Sequence, residues 1–442
     1  MNLETAPAAP YLRQFAEARR FLPGSGLPWL DALREEAIGR FGDGGFPTPK
    51  VEAWKFTNLG PLAHTAFRSL DTRAAPALRK AELSAYRLTP DCHLVVLVNG
   101  RFRPDLSDLD RLPDGTRVVT LGAAKEDDLR ALAAPPAVAT EPRARALFDL
   151  NTAFMGDGAV IHLGRGAILD PVQLLFVACP DGEPAAFHAR NLIHAEAGSS
   201  ATVLETYVGL TESSYWSNVV TQILVASNAV LRHYKLQVEG SAAFHVAATS
   251  VRLDRQAAYR MFAASLGGGL ARNELDIDLA ASDAEARLAG ATLARGDQHL
   301  DTTVRIEHSQ PGGSSSQEFR NVVDGRARAV FQGRIRVAPD AQKTDAQQVS
   351  RSLLLSPAAG ADTKPELVIL ADDVKCSHGA AVGDLDEEAL FYLLSRGFSK
   401  QDARATLIDA FVGELVKGIE GDATRAYFRR AFDGWLSQEL RS

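Results

Sequence analysis

The chain has 442 residues, 46% hydrophobic and 23% charged, which is the balance of an ordinary globular protein long enough to bury a large core. Its 48 basic and 55 acidic residues leave a net charge of −7, excluding the basic footprint that a general nucleic-acid binder needs. Apolar runs such as residues 94–98 fall far short of the ~20 that span a bilayer, and the N-terminus lacks a secretory pattern. Cys92, Cys179 and Cys376 are too few and too widely spaced for a disulfide framework. The expectation is a cytoplasmic protein that binds neither nucleic acid nor membrane.

Residues 1–150 read as a mixed, helix-rich region. Stretches 11–21 and 29–41 have amphipathic helical spacing, punctuated by Pro23-Gly24, Pro28 and the glycines at 42–45. Residues 93–98 followed by Asn99-Gly100 predict a strand ending in a tight turn. The Ala- and Pro-rich run 131–142 reads as a linker.

Residues 151–383 change character. Short β-type runs follow at 159–163, 173–178, 201–207, 219–225, 229–238, 243–253, 275–279, 302–307, 327–337 and 366–370, with no helix-length pattern between them. Corners carry Asp157-Gly158, Gly198-Ser199, Gly267–Gly269 and Asp324-Gly325. More than 200 residues of strands without helical crossovers favour a β-solenoid over a sandwich or barrel, although no strict period is visible. In one strand Ala327, Ala329, Phe331, Gly333, Ile335 and Val337 alternate with Arg326, Arg328, Gln332, Arg334 and Arg336. A period of two turns the first set to the core and the arginines to water, where they form either a solvated face or an anion-binding stripe.

Residues 384–442 read as helices. Asp384 and Glu387 open the first, which Gly397 stops; Ser399 and Asp402 open the second, which Gly418 stops. Leu407, Phe411 and Leu415 recur at i+4 along the second, and Tyr427, Phe428, Phe432, Trp435 and Leu436 mark a third. Two readings are open and compatible: a cap over the open end of the solenoid, or a partner-docking surface.

Few residues carry chemistry. No phosphate-binding loop, Cys-x-x-Cys, His-Glu-x-x-His or Gly-x-Ser-x-Gly motif is present, and three cysteines cannot supply four thiolates to an iron–sulfur cluster. The exception is Asp372-Asp373-Val374-Lys375-Cys376-Ser377-His378. If it is extended, Cys376 and His378 share a face with Asp372 and Val374, while Asp373, Lys375 and Ser377 point away. A thiol beside an imidazole is a pair of metal ligands or a thiol beside a base, and Lys375 and His378 would favour the thiolate. Simple packing of a buried cysteine is the alternative.

Several long motifs occur in order. They are Glu52-Ala53-Trp54-Lys55-Phe56-Thr57-Asn58-Leu59, Ser265-Leu266-Gly267-Gly268, Ala271-Arg272-Asn273-Glu274-Leu275, Gln342-Lys343-Thr344-Asp345-Ala346 and Thr363-Lys364-Pro365. Residues 371–380 and 385–397, including Cys376, His378, Phe391, Tyr392 and Gly397, complete the series. Together they resemble the SufD branch of the SufB/SufD family of the SUF iron–sulfur cluster assembly system. The resemblance spans most of the chain from Glu52 onward; Ala381 and Phe398 depart from it, away from the Cys/His pair.

That resemblance implies a right-handed parallel β-helix flanked by N- and C-terminal helical regions. It implies a non-enzymatic scaffold that joins a SufB-like paralogue and a SufC-like ABC ATPase, the ATPase docking on the C-terminal helices that carry Leu407, Phe411 and Leu415. A cluster would form at the interface with the paralogue, with His378 the main contributor and Cys376 its helper. No cofactor would rest stably on this chain alone: ATP would act through the ATPase, and reduced flavin in the complex has no motif here. The same resemblance leaves a homodimer of the isolated chain open. The rival readings are a purely structural solenoid, and a polysaccharide-acting β-helix enzyme needing converging carboxylates in a groove.

Overall fold

The computed structural model describes residues 8–69, 76–133 and 144–439. Most of the linker-like run 131–142 lies outside the described residues. The N-terminal part comprises α1 (Ala9–Ala18), α2 (Pro28–Gly44), α3 (Gly60–His64), β1 (Arg68–Ser69), β2 (His93–Val98), β3 (Arg101–Phe102), β4 (Thr116–Thr120), α4 (Glu126–Ala133) and α5 (Ala146–Phe154). Local chemistry sets α2: Pro28 occupies its first turn, Asp31 accepts from the Gly26 amide at 2.9 Å, and Gly45 ends it at φ 65°. As expected, Asn99 and Gly100 turn the chain after β2 with positive φ.

Sixteen strands follow without a helix, from β5 (Ala159–Leu163) to β20 (Lys375–Asp384). Odd-numbered strands form one sheet and even-numbered strands the other, each strand running parallel to those two before and two after it. This is a parallel β-solenoid, mainly β with helices at both ends of the chain. The N-terminal strands extend the same sheets, β2 parallel to β6 (Ile168–Ala178) and β4 antiparallel to β5. A boundary at residue 150 therefore falls inside α5.

A backbone column makes the coils stack. Left-handed residues recur at Gly166, Gly198, Asn228, Gln256, Asp283, Gly312 and Lys343, one per coil of roughly thirty residues. Each donates its N–H to a carbonyl of the next coil, from Gly166 to Ala197 through to Lys343 to Asp373. The period is thus written in backbone conformation, and several residue types satisfy it. Gly267 serves another purpose at its corner, because a Cβ there would lie 2.2 Å from the Glu239 carbonyl oxygen.

Between the sheets runs an apolar core that includes Ile161, Val203, Ile223, Leu231, Leu253, Ile277, Val304, Phe331 and Ile335. The alternation in β17 (Arg328–Val337) holds: Ala329, Phe331, Ile335 and Val337 are fully buried. Its outward arginines and neighbouring Arg326 are all paired, Arg326 with Asp297 at 2.7 Å, Arg328 with Asp362 at 3.0 Å, Arg334 with Glu366 at 3.4 Å and Arg336 with Glu307. They form a charge ladder rather than an anion stripe. Gln332 differs from expectation, being buried beneath the N-terminal segment near the Ala53 carbonyl.

Helices cover both outer faces. Tyr11, Phe15, Ile38, Phe41 and Leu150 pack on Trp216 and Val246 of the odd sheet. The C-terminal part contains α6 (Glu387–Ser395), α7 (Lys400–Lys417) and α8 (Asp422–Glu439). Asp386, not Asp384, caps α6 by accepting from the Glu388 and Ala389 amides, because β20 runs on through Asp384. Ile408, Val412, Tyr427, Phe428 and Phe432 pack on Tyr234, Phe262, Leu293 and Val322 of the even sheet. The C-terminal helices therefore do not cap the end of the solenoid: the even sheet offers them a wide apolar flank, and they lie along it.

Candidate functional site

The solenoid ends on β19 (Gly360–Ile369) and β20. Each is the last strand of its sheet, with no strand on its outer side among the described residues. β20 pairs with β18 (Asp345–Leu354) in a register that sets Cys376 against Ala346 and His378 against Gln348. Ala346 and Gln348 are fully buried and face the interior, so Cys376 and His378 continue that inward column at the open mouth. Cys376 packs half-buried against the core, and His378 is exposed. The shared face expected of the pair holds. Asp372 does not share it, since the chain is still turning there before β20 begins, and it is exposed.

Thiolate formation is not favoured in this setting. Burial pushes the Cys376 thiol up, and the Asp345 carboxylate pushes it further. Lys375 cannot offset this because its side chain leaves the opposite face of the strand. Among the described residues no three His, Cys, Asp or Glu side chains converge into a metal-holding group; the thiol and the imidazole are of types able to ligate a soft metal.

Exposed apolar residues occur on and after the last two strands: Ile369, Leu370, Val382, Tyr392 and Phe398, with Phe391 73% exposed. From the sequence, Phe391, Tyr392 and Phe398 enter only through the family resemblance, and none of the six is marked there as exposed. Of the candidate docking residues, Leu415 is buried against the sheet, Phe411 is half-buried under the Arg320 guanidinium at 5.6 Å, and Leu407 is half-buried. The outer side of α7 and α8 is a charged cleft of about 500 Å³ lined by Asp409, Glu414, Lys417, Arg425 and Arg429.

Two early motifs prove to be one clamp. Trp54 stacks on the guanidinium of Arg272 at 4.0 Å. Arg272 donates to the Ala53 carbonyl at 2.7 Å and pairs with Glu274 and Asp301, while Thr57 donates to Asp301 and contacts His299 at 3.0 Å. Glu52 pairs with Lys364 on β19. The N-terminal segment thereby straps the outer face of the odd sheet as far as its last strand.

A second group of titratable residues lies inside the solenoid. Glu205 accepts from Tyr207 at 2.6 Å and Thr221 at 2.7 Å, beside His233 at 3.3 Å. Burial pushes the Glu205 carboxyl up, but His233, Lys235 and Tyr207 outweigh it and bring it down to about 2. Burial brings the Lys235 ammonium down to about 8, and its Nζ donates to Asn273 at 2.5 Å. Glu239 accepts from Ser217 at 2.9 Å and Gln237 at 3.0 Å. These groups are enclosed and, apart from the His233 Nε2, hydrogen-bonded, which is a structural arrangement.

Comparison with known proteins identifies two matched regions that meet within β6. Residues 5–174 match the SufBD protein N-terminal region, and residues 177–411, more than half the chain, match the SufBD core domain of SUF system FeS cluster assembly. An iron–sulfur cluster assembly SufBD family protein of Synechocystis is 33% identical over 403 residues, covering 87% of this chain and 86% of that one. The iron–sulfur cluster assembly protein SufD of Escherichia coli is 33% identical over 388 residues, covering 86% of this chain and 87% of that one.

Proposed function

Because the chain belongs to the SufB/SufD family of iron–sulfur cluster assembly proteins, we propose that it is a non-catalytic scaffold subunit of a cytoplasmic assembly complex. The observation that carries this reading is the open strand β20, with Cys376 and His378 at the mouth of the solenoid and Val382 exposed on the same strand. An unpaired strand edge is a template for another strand, and an exposed apolar side chain stabilises the contact. A SufB-like paralogue is the partner for that edge, and its thiolates complete the ligand set that Cys376 and His378 begin. His378 binds iron through a neutral ring nitrogen, and Cys376 assists once a neighbouring cation or the metal itself draws off its proton.

The energy comes from outside the chain. A SufC-like ATPase docks on the outer side of the α7–α8 pair, with Leu407 the apolar contact left to it there, and its ATP cycle moves the two scaffold subunits relative to each other. Iron, sulfide and the nascent cluster are cargo, and reduced flavin, on this reading, belongs to the assembled complex.

Full-length tagged chain, purified anaerobically from its host, tests the reading. Recovery of an ABC ATPase and a cysteine-bearing paralogue is expected, with the ATPase lost in Leu407→Asp and the paralogue lost in Val382→Asp/Phe391→Asp. Full-length variants are used because removing α7 and α8 would strip Tyr234 and Phe262 of their cover. If neither partner is recovered with the intact chain, the scaffold assignment fails. If both are recovered but His378→Ala builds clusters as fast as the unaltered complex, the solenoid is purely structural.

A further inference from the structure

Directly inward of His378, one strand along, lies Gln348. It is fully buried, its carboxamide oxygen has no hydrogen-bond partner, and its amide nitrogen makes one long contact of 3.4 Å to the Gly333 carbonyl across the core. Room for this side chain is made by the facing sheet: a Cβ on Gly333 would lie 2.4 Å from the Gln348 nitrogen. A glycine is thus spent on housing a polar group that the interior does not satisfy. An orphaned buried acceptor is destabilising, so it calls for a donor.

Two donors stand in register with it. Exchanging the amide ends would set oxygen against the Gly333 carbonyl oxygen, so the oxygen is the end turned elsewhere. Gln317, on the inner side, is buried with its own amide nitrogen and oxygen unpartnered, and it makes no bond to Gln348. In register on the outer side stands His378, whose exposed ring is free to rotate.

We propose that Gln348 is the positioning residue of His378, its carboxamide oxygen accepting one ring N–H and so leaving the other ring nitrogen bare at the mouth of the solenoid. A carboxamide holding one imidazole nitrogen protonated fixes both tautomer and ring orientation, the usual support of a metal-binding histidine. The proposal rests on the reading of His378 as an iron ligand, but its test does not.

The test is made on the metal-free full-length chain carrying ¹⁵N-histidine, at about pH 8.5, roughly two units above an ordinary imidazole. His378 is assigned by the signal missing from His378→Asn, and its two ring nitrogens are read by NMR. The unaltered chain is expected to show a single tautomer. Gln348→Leu is expected to lose that selection and show the mixture of a free histidine, and Gln348→Glu, still an acceptor, to keep it. Because leucine has a similar size and leaves no unpaired polar group in the core, Gln348→Leu should still melt in one cooperative transition, which separates lost tautomer selection from unfolding. A free-histidine mixture in the unaltered chain, or an unchanged tautomer in Gln348→Leu, overturns the proposal. Tautomer selection lost in Gln348→Leu, together with normal cluster assembly by His378→Ala, would uphold the positioning and remove only the iron role.

Discussion

The two ends of the solenoid are finished differently. At the start, β4 covers the edge of β5 and β2 covers the edge of β6, with helices packed beside them. At the finish, β19 and β20 meet no further strand; β19 carries Lys364, Pro365 and Glu366, of the kind that blunt an edge, whereas β20 exposes Val382 and has no charged residue between Lys375 and Asp384. The chain has enough helix to cap this end, yet α7 and α8 lie along the flank instead. Open edges invite pairing, so on the function proposed above the last strands are where a partner strand would add.

The sharpest way to break this comparison is at the closed flank. Phe428 is fully buried, its ring 5.0 Å from that of Phe262. Phe428→Ala should cost about 3–5 kcal/mol in urea unfolding, the usual loss for a core aromatic. Arg272→Leu should cost about 3 kcal/mol, since it strands the buried Asp301 carboxylate and unseats Trp54. Equal losses from Phe391→Ala would contradict the distinction between the two regions. That substitution at the open end should stay within about 0.5 kcal/mol in the isolated chain.

The interior gives a smaller effect that depends on pH. His308 is fully buried, and burial brings its imidazole down to about 4. The folded state therefore keeps it neutral while the unfolded chain takes up a proton near its ordinary ~6.5. Stability tied to this residue is present above ~6.5 and is lost as pH falls toward 4, amounting to about 2 kcal/mol at pH 5. In His308→Asn that part of the acid slope should vanish from melts taken across the window. The smallest effect lies at the open end: Asp345→Asn removes one of the groups raising the Cys376 thiol, so alkylation of the Cys376 peptide, followed by mass spectrometry at fixed pH, should quicken.

Much of this was legible in the residues. Strands 93–98, 159–163 and 243–253 stand where the sequence predicts them, because apolar and β-branched residues there meet turn-forming ones. Strands Glu285–Ala294, Ser314–Val323 and Asp345–Leu354 were not legible. Ala-rich EARLAGATLA carries no β signature, and Ser315, Gln317, Gln348 and Ser350 place polar side chains on the inner face, where alternation would require apolar ones. Stacking on a neighbouring coil imposes the strand there, which no local pattern records. That Cys376 and His378 share a face was readable from their spacing; singling them out over simple packing came from the family resemblance. The raised Cys376 thiol was not readable, because Asp345 reaches it only through the register of β18 with β20.

The Trp54 clamp bears on how the chain is made. Thr57 and Asp301 are 244 residues apart, and Glu52 and Lys364 are 312 apart. At about 5–20 residues per second, a ribosome needs roughly 12–50 s after making Thr57 to deliver Asp301. For most of that interval, until Arg272 is made, the indole lacks the guanidinium it stacks on, and the strap can close only once those later coils exist. Closure of the strap is thus a late event in biogenesis, and the nascent chain passes through a long stage in which chaperones have apolar surface to hold.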